Sequence, residues 1–292
     1  MTVYRLGLIG YPLSHSFSPR IHTAALRASG LEGDYSLFPI QPNHAQELKA
    51  ILTCVRSGEI QGLSVTIPHK QDVIPFLDEL TSTAQAIGAA NTIYLREDKL
   101  IGDNTDAAGF LADLKKFMAE APSPILGEGL GVRERSALVM GAGGSARAVV
   151  YALLNDGWNV TIAARRLEQA HQLASSFLNY QLPIIKIENL QSQVSNLHLI
   201  VNTTPVGMTP NTDQSPLPEN LSLPRHVSIY DLVYNPPETQ LVRAARNQGL
   251  NARTGLGMLI EQAALSFELW TGQNPSRENM RMAVEKFSIS SV

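Results

Sequence analysis

Six residues, Gly141-Ala142-Gly143-Gly144-Ser145-Ala146, constrain this chain more than any others. They follow the short apolar run Ser136–Met140 and open a helical run, Ala146–Leu154, that stops at Asp156-Gly157. Strand, glycine turn and helix in that order match G-x-G-x-x-[GA], with Ala146 in the last slot, where only a small residue lets the helix lie close on its strand. Gly141 permits the tight turn and Gly143 keeps side chains away from an approaching pyrophosphate. Ala142, Gly144 and Ser145 complete the loop, and the free N–H groups of the helix start face the phosphates. After Gly157 the β-branched run Asn159–Ala164 reads as the next strand and closes a βαβ unit of about 30 residues. In an NAD site, an acidic residue roughly 20 residues past the glycines takes the ribose hydroxyl. Those positions here hold Ala164, Arg165 and Arg166. No carboxylate repels a 2′-phosphate and two guanidiniums offer bidentate phosphate binding, so NADP is expected rather than NAD.

A chain of 292 residues with 44% hydrophobic content suggests about two domains. The net charge of -3 provides no general attraction to nucleic acid or to an anionic membrane surface. The single cysteine, Cys54, excludes an internal disulfide and a multi-cysteine metal site. Pro12 comes too early for a signal peptide, and no run approaches the roughly 18 apolar residues of a membrane span. A cytoplasmic protein acting on a small molecule, without a metal and as a monomer or homodimer, is the expectation.

Read in order, Val3–Ile9 is a strand, followed by Leu13-Ser14-His15-Ser16-Phe17-Ser18-Pro19 and a helix over Arg20–Ala28. Hydroxyls thus collect at a strand's carboxyl end, where ligands bind in open α/β sheets. Ser18 before Pro19 also suits a helix cap. Asp34–Ile40 is a second strand, His44–Val55 a helix and Gly62–Ile67 a third strand, with His69 and Lys70 just beyond. Asp72–Leu80 reads as helical, Ala89–Leu95 as a strand, and Leu100–Gly102 as a short strand before a helix over Ala107–Phe117. Asn91 and Asp106 each fall at a strand's exit, while Asp103 reads as a turn or cap residue. Residues 119–135 carry Pro122, Pro124, Gly127, Gly129 and Gly131 without periodicity and read as a surface insertion. After the βαβ unit, strands are expected at Leu182–Ile187, Leu197–Val201 and Val227–Val233. Helices follow at Thr239–Asn247, Met258–Trp270 and Ser276–Phe287.

Eight stretches, in order, resemble the shikimate dehydrogenase family over nearly the whole chain. They are Ser16-Phe-Ser-Pro19, Val65-Thr-Ile-Pro-His-Lys70, Gly88-Ala-Ala-Asn-Thr92, Gly102-Asp-Asn-Thr-Asp106, Gly141-Ala-Gly-Gly144, Asn202-Thr-Thr-Pro-Val-Gly-Met208, Asp231-Leu-Val-Tyr-Asn-Pro236 and Gly255-Leu-Gly-Met-Leu-Ile-Glu-Gln262. The resemblance implies an α/β protein of two domains. One is an N-terminal substrate domain, 1–106, completed by C-terminal helices over 255–292; the other is a Rossmann-type NADP domain over 107–254. It implies reversible NADP-linked oxidation of shikimate to 3-dehydroshikimate, running toward ketone reduction in biosynthesis. Ser16 and Ser18 would hold the substrate carboxylate, Thr66, Asn91, Asp106 and Gln262 its ring hydroxyls, and Lys70 and Asp106 would be the catalytic pair. Tyr234 and Gly255 would line the cleft where substrate meets nicotinamide, and Leu232 would contact the cofactor.

The residue types suit that chemistry. A carboxylate-bearing polyol calls for many short, fixed hydrogen-bonding groups, and hydride addition to a ketone leaves an alkoxide that needs a proton donor such as Lys70. His69 or His15 could serve a generic dehydrogenase as the acid; within the resemblance, His69 is a neighbour of the site. Two positions depart from the family pattern. Ala164-Arg165-Arg166 replaces Asn-Arg-Thr, which rearranges the 2′-phosphate contacts, and Thr23 replaces an Asn, which bears on local helix packing. Two rival readings share most of the motifs: a quinate/shikimate dehydrogenase using NAD, and a non-catalytic NADP-binding sensor. The paired serines and the arginines favour shikimate and NADP, and the presence of both Lys70 and Asp106 speaks against a sensor.

Overall fold

A computed structural model of the chain describes residues 2–120, 135–218 and 221–289; residues 121–134 of the expected insertion lie outside them. The chain divides into two compact units, Met1–Gly109 with Ile260–Val292, and Phe110–Leu259.

The first unit contains β1 (Tyr4–Gly10), α1 (Ser18–Ala28), β2 (Gly33–Pro39), α2 (Ala45–Arg56), β3 (Gly62–Val65), β4 (Glu79–Leu80), α3 (Ser82–Ile87), β5 (Thr92–Arg96), β6 (Lys99–Asp103) and the start of α4 (Asp106–Glu120). Its sheet runs β2-β1-β3-β5-β6-β4, with β5 antiparallel to both neighbours and the other pairs parallel. β1 is buried on both faces from Leu6 onward, as a strand covered on two sides must be. On one side α2 lays Leu48, Leu52 and Val55, spaced for a single helix face, against Ile9, Leu63, Val65, Ile93 and Leu100.

Two local expectations change. The 72–80 stretch is not a helix: Ile74–Phe76 makes one tight turn, Leu77 is extended, and Glu79–Leu80 joins the sheet as β4 beside β6. Pro75 removes a donor that a continuing helix needs, and the open edge of β6 takes the backbone instead. Ser18 does not cap α1. Phe17 precedes the helix without a side-chain cap bond, and Ser18 is its first residue, with a buried side chain.

The second unit holds the rest of α4, then β7 (Arg135–Met140), α5 (Gly144–Asn155), β8 (Trp158–Ala163), α6 (Leu167–Ala174), β9 (Ile184–Ile185), β10 (Leu199–Asn202), β11 (Ser228–Asp231), α7 (Gln240–Asn247), β12 (Ala252–Thr254) and the start of α8 (Leu256–Thr271). The chain returns through α8 to the first unit and closes with α9 (Arg277–Ile289). The sheet is parallel throughout, in the order β12-β11-β10-β7-β8-β9. Strand order reverses between β7 and β10, and a crevice opens at their carboxyl ends, where dinucleotides bind in such sheets. Of the expected strand Leu182–Ile187, Ile184 and Ile185 alone pair, with Ile162 and Ala163 of β8. No helix of the described residues is long and apolar enough to cross a membrane, and none of their His, Cys, Asp and Glu side chains group as a metal site.

His22 of α1 is 1% exposed and stacks on Tyr35 at 4.4 Å between ring centroids and 2° between planes, with Trp270 at 5.2 Å. Its Nδ1 is buried without a hydrogen-bond partner, and burial pushes the imidazole down to about 3 from 6.5. The folded state therefore resists a proton that the unfolded chain accepts. The stability this group contributes is complete above pH 6.5 and is lost as pH falls toward about 3. Between about pH 7.5 and about pH 5 the parent should lose about 2 kcal/mol more unfolding free energy than His22→Leu. Urea titrations of both chains at the two pH values measure this, and parallel losses would show that His22 is not the group responsible.

Candidate active site

Four connections of the first unit meet at one edge of its sheet. The chain leaving β1 is stitched to the chain leaving β3, with Tyr11 N donating to Ile67 O and Thr66 N to Ile9 O, each at 2.9 Å. Thr66 Cγ2 stands 2.3 Å from where a Cβ on Gly10 would be, so only glycine admits this approach. Beyond Gly10, Ser16 N donates to Leu13 O at 3.0 Å and Ser16 Oγ accepts from Ser18 N at 3.2 Å. It is thus the Ser16 hydroxyl that turns the chain into α1, beside the half-buried Thr66 segment.

Asn91 stands at the start of β5, one residue before it, not at a strand's exit. Because β5 runs against β3 and β6, its start shares the edge with their ends. Val65 N donates to Asn91 O at 2.7 Å, Asn91 N to Asp103 O at 2.9 Å and Ala90 N to Lys70 O at 2.8 Å, which fixes Asn91 between the two neighbouring exits. Thr105 N donates to Asn91 Oδ1 at 2.8 Å. A backbone N–H can only donate, so the amide oxygen faces Thr105 and the Nδ2 group faces Asp106 Oδ1 at 2.9 Å. Nδ2 also reaches Thr105 Oγ1 at 2.9 Å and Gln262 Oε1 at 3.3 Å.

Asp106, 4% exposed, is the first residue of α4, where the helix dipole favours a carboxylate. Its other oxygen accepts from Lys70 Nζ at 2.5 Å. The two carboxylate oxygens are thus divided between an amide that holds and an ammonium that can exchange a proton. Gln262 arrives because α4 and α8 come close: a Cβ on Gly109 would stand 2.7 Å from Gln262 N.

His69 is fully buried; its Nε2 donates to Ile40 O at 2.7 Å and its Nδ1 lies 3.1 Å from Asp72 Oδ2. Both ring nitrogens are engaged, so His69 ties the Lys70 segment to the end of β2. Asp103, expected in a turn or cap, is instead the last residue of β6, paired with Thr92; its Oδ1 accepts from Thr81 Oγ1 and from Asn104 N, each at 2.7 Å.

In the second unit, Gly141 ends β7 with φ +115°, and a Cβ there would lie 2.6 Å from Thr203 Oγ1. Gly143, immediately before α5, has extended backbone, and a Cβ there would meet nothing within 4 Å. Nothing in the chain itself demands glycine at 143. The open space over the α5 amino terminus is the cradle a pyrophosphate would fill. Ala164 is buried after β8, whereas Arg165 and Arg166 are exposed and, among the described residues, form no ion pair. An open cradle followed by two exposed guanidiniums fits NADP. On the other side of the crevice, a Cβ on Gly255 would stand 2.3 Å from Leu232 O, so the chain leaving β12 packs directly on the turn after β11. Half-buried Tyr234 lies in that same turn.

Three family models match successive parts of the chain. The shikimate dehydrogenase substrate binding domain matches residues 8–93, the shikimate/quinate 5-dehydrogenase model residues 126–214, and the shikimate 5′-dehydrogenase C-terminal domain residues 255–285. The NADP(+) shikimate dehydrogenase of Bacillus subtilis (strain 168) is 39% identical over 285 residues, covering 95% of each chain. The chain belongs to the shikimate dehydrogenase family. Among solved structures, the shikimate 5-dehydrogenase of Thermus thermophilus in complex with NADP(H) and shikimate matches with a TM-score of 0.82 at 37% identity, over 97% of this chain and 99% of that one. A quinate dehydrogenase from Corynebacterium glutamicum in complex with NAD matches with a TM-score of 0.84 at 30% identity, over 98% of this chain and 100% of that one.

In this chain, Lys70, Asn91, Asp106 and Gln262 share one hydrogen-bonded cluster. Ser16, Ser18 and Thr66 lie on adjoining connections of the same edge, and Tyr234, Leu232 and Gly255 belong to the second unit. Sequence motifs did not single out Thr105, Thr92 or Ser266 as individual contributors. Ser266 Oγ lies 2.7 Å from Thr92 Oγ1 and 3.0 Å from Thr105 Oγ1, and it donates to Gln262 O at 3.0 Å. A directional chain results, from Asn91 Nδ2–H through the Thr105 and Ser266 hydroxyls to the Gln262 carbonyl. The signal available was spacing: Ser266 follows Gln262 by four residues, on the same face of α8. Ser266→Ala leaves the Thr92 and Thr105 hydroxyls short of a partner in a buried place. The expected loss of unfolding free energy in urea is about 1–3 kcal/mol, and a loss below about 0.5 kcal/mol would mean that the two hydroxyls satisfy each other.

Proposed function

We propose that this chain catalyses the reversible NADP-dependent interconversion of shikimate and 3-dehydroshikimate, with Lys70 and Asp106 as its acid–base pair. It would serve aromatic amino acid biosynthesis in the cytoplasm, as a monomer or homodimer. The observation that carries the reading is the Lys70 Nζ to Asp106 Oδ2 bond at 2.5 Å, held beside Asn91 and Gln262 at the edge that also bears Ser16 and Ser18. Ser16 and Ser18 would bind the substrate carboxylate, Thr66, Asn91, Asp106 and Gln262 its ring hydroxyls, and Tyr234 would be a further substrate-binding residue. The cofactor, when bound, would supply hydride to the ketone as NADPH, or accept it from the alcohol as NADP⁺. As the ketone oxygen gains negative charge, protonated Lys70 delivers the proton, and in the reverse direction neutral Lys70 takes it. Asp106, restrained by Asn91 on one oxygen, aims the Lys70 ammonium with the other. Gly141 to Ala146 would hold the pyrophosphate, Ala164 to Arg166 the 2′-phosphate, and Leu232 and Gly255 the nicotinamide end. The first unit would then be the substrate-binding domain and the second unit the NADP-binding domain, with bounds a few residues from the expected 1–106 with 255–292 and 107–254.

Initial rates with shikimate and NADP⁺ test the reading. The parent chain should turn over, and Lys70→Ala should lower kcat by about 10²–10⁴-fold with little change in KM. An unchanged kcat would remove Lys70 from the chemistry. For the cofactor, replacing Arg165 and Arg166 together with Ala should weaken NADP⁺ binding by about tenfold or more while leaving NAD⁺ binding almost untouched. Equal weakening of both in a direct titration would mean that the arginines hold no 2′-phosphate.

A further inference from the structure

Asp231 has no part in the reaction just described, yet it is completely buried at the end of β11. Its Oδ1 accepts from Asn202 Nδ2 at 2.8 Å and from Val233 N at 3.1 Å, and its Oδ2 accepts from Thr239 Oγ1 at 2.7 Å. These donors come from three separate pieces of chain: the end of β10, the turn after β11, and the residue that caps α7. Asn202 extends the arrangement, its Oδ1 accepting from Thr204 N at 3.0 Å and from Thr204 Oγ1 at 2.7 Å. Farther out, Thr209 N donates to Asn235 O at 3.0 Å. The loops 203–209 and 232–239 therefore hang on one carboxylate.

Holding a carboxylate there is costly, since burial pushes Asp231 up to about 6. A corner with a purely structural task is more cheaply filled by an apolar residue. What distinguishes this corner is its place. In a doubly wound dinucleotide sheet, the half with the glycine loop, here β7-β8-β9, takes the adenosine side, and the other half lies under the second nucleoside. Asp231 is at the carboxyl end of that second half, one residue before Leu232. Leu232 N donates to Asn202 O at 2.9 Å, and Leu232 O lies against Gly255.

We propose that Asp231 is a positioning residue for the nicotinamide half of NADP: by tying the β10 and β11 loops together it sets the Leu232–Gly255 surface without touching the cofactor. The inference rests on the reading of the second unit as the NADP site.

The test is calorimetric binding of NADP⁺ and of 2′,5′-ADP, which carries the adenosine 2′-phosphate half and no nicotinamide, to the full-length parent, Asp231→Ala and Asp231→Asn. Asp231→Ala should raise the Kd for NADP⁺ by about tenfold or more and leave that for 2′,5′-ADP within about threefold. Asp231→Asn keeps an oxygen for Asn202 and Val233 and should restore most of the NADP⁺ affinity. Equal loss for the two ligands, no loss for either, or no restoration by Asn overturns the positioning role. If Asp231→Ala does not fold, Asn202→Ala, which cuts the bonds to both Asp231 and Thr204, replaces it: selective loss of NADP⁺ affinity supports the positioning role, and equal loss or none overturns it. A parent that binds neither ligand would instead overturn the reading of the NADP site itself.

Discussion

A carboxylate withdrawn from water must be given donors, and at Asp106 that requirement arranges everything around it. One oxygen is taken by the Asn91 amide and the other by the Lys70 ammonium. The division holds only while the amide keeps its orientation, and the Thr105 backbone N–H enforces that by donating to the amide oxygen. Turned over, Asn91 would present an oxygen to a carboxylate and leave two acceptors facing each other. The hydroxyls of Thr92, Thr105 and Ser266 surround the amide and anchor it to α8 through the Gln262 carbonyl. The Lys70–Asp106 ion pair thus stands at one end of a buried polar network, and the worth of each bond in it depends on the others.

Topology supplies the residues to that network. β5 runs antiparallel in a sheet whose neighbouring strands β3 and β6 share one direction, so a strand start and two strand ends meet at the same edge. Lys70, Asn91 and Asp106 reach that edge from three connections, and close backbone approaches at Gly10 and Gly109 bring Thr66 and Gln262 up to it. In the second unit the same edge logic works on a wholly parallel sheet, where the reversal of strand order beside β7 opens a crevice over the glycine turn. The two faces of that crevice are built differently. On the α5 side lie open space and backbone N–H groups; on the β10–β11 side, loops are pinned to the buried carboxylate of Asp231.

Much of this was legible in the chain alone. The glycine turn, the strand before it and the helix after it follow from local stereochemistry and apolar spacing, which act over a few residues and leave a readable pattern. The arginines after β8 declare their charge at a position set by the same local unit. The resemblance carried Lys70, Asp106, Asn91 and Gln262 forward as a group although up to 192 positions separate them, as their numbering shows. What failed locally failed for a tertiary reason. Residues 72–80 have a helical pattern, but the free edge of β6 offers a strand partner that Pro75 makes the better choice.

The sequence by itself determined which residue types are available for the chemistry and where the chain turns: short polar groups after strands, a lysine and an aspartate, glycines where a helix meets a strand. Only the tertiary structure decided that Asn91 stands at a strand's start, that Ser16 and not Ser18 turns the chain into α1, that His69 is spent on Ile40 and Asp72, and that Ser266 joins the network around Asn91. The reason is physical. A hydrogen bond's partner is fixed by distance and direction in space, and neither is encoded in the spacing of residues once the two groups lie on different elements.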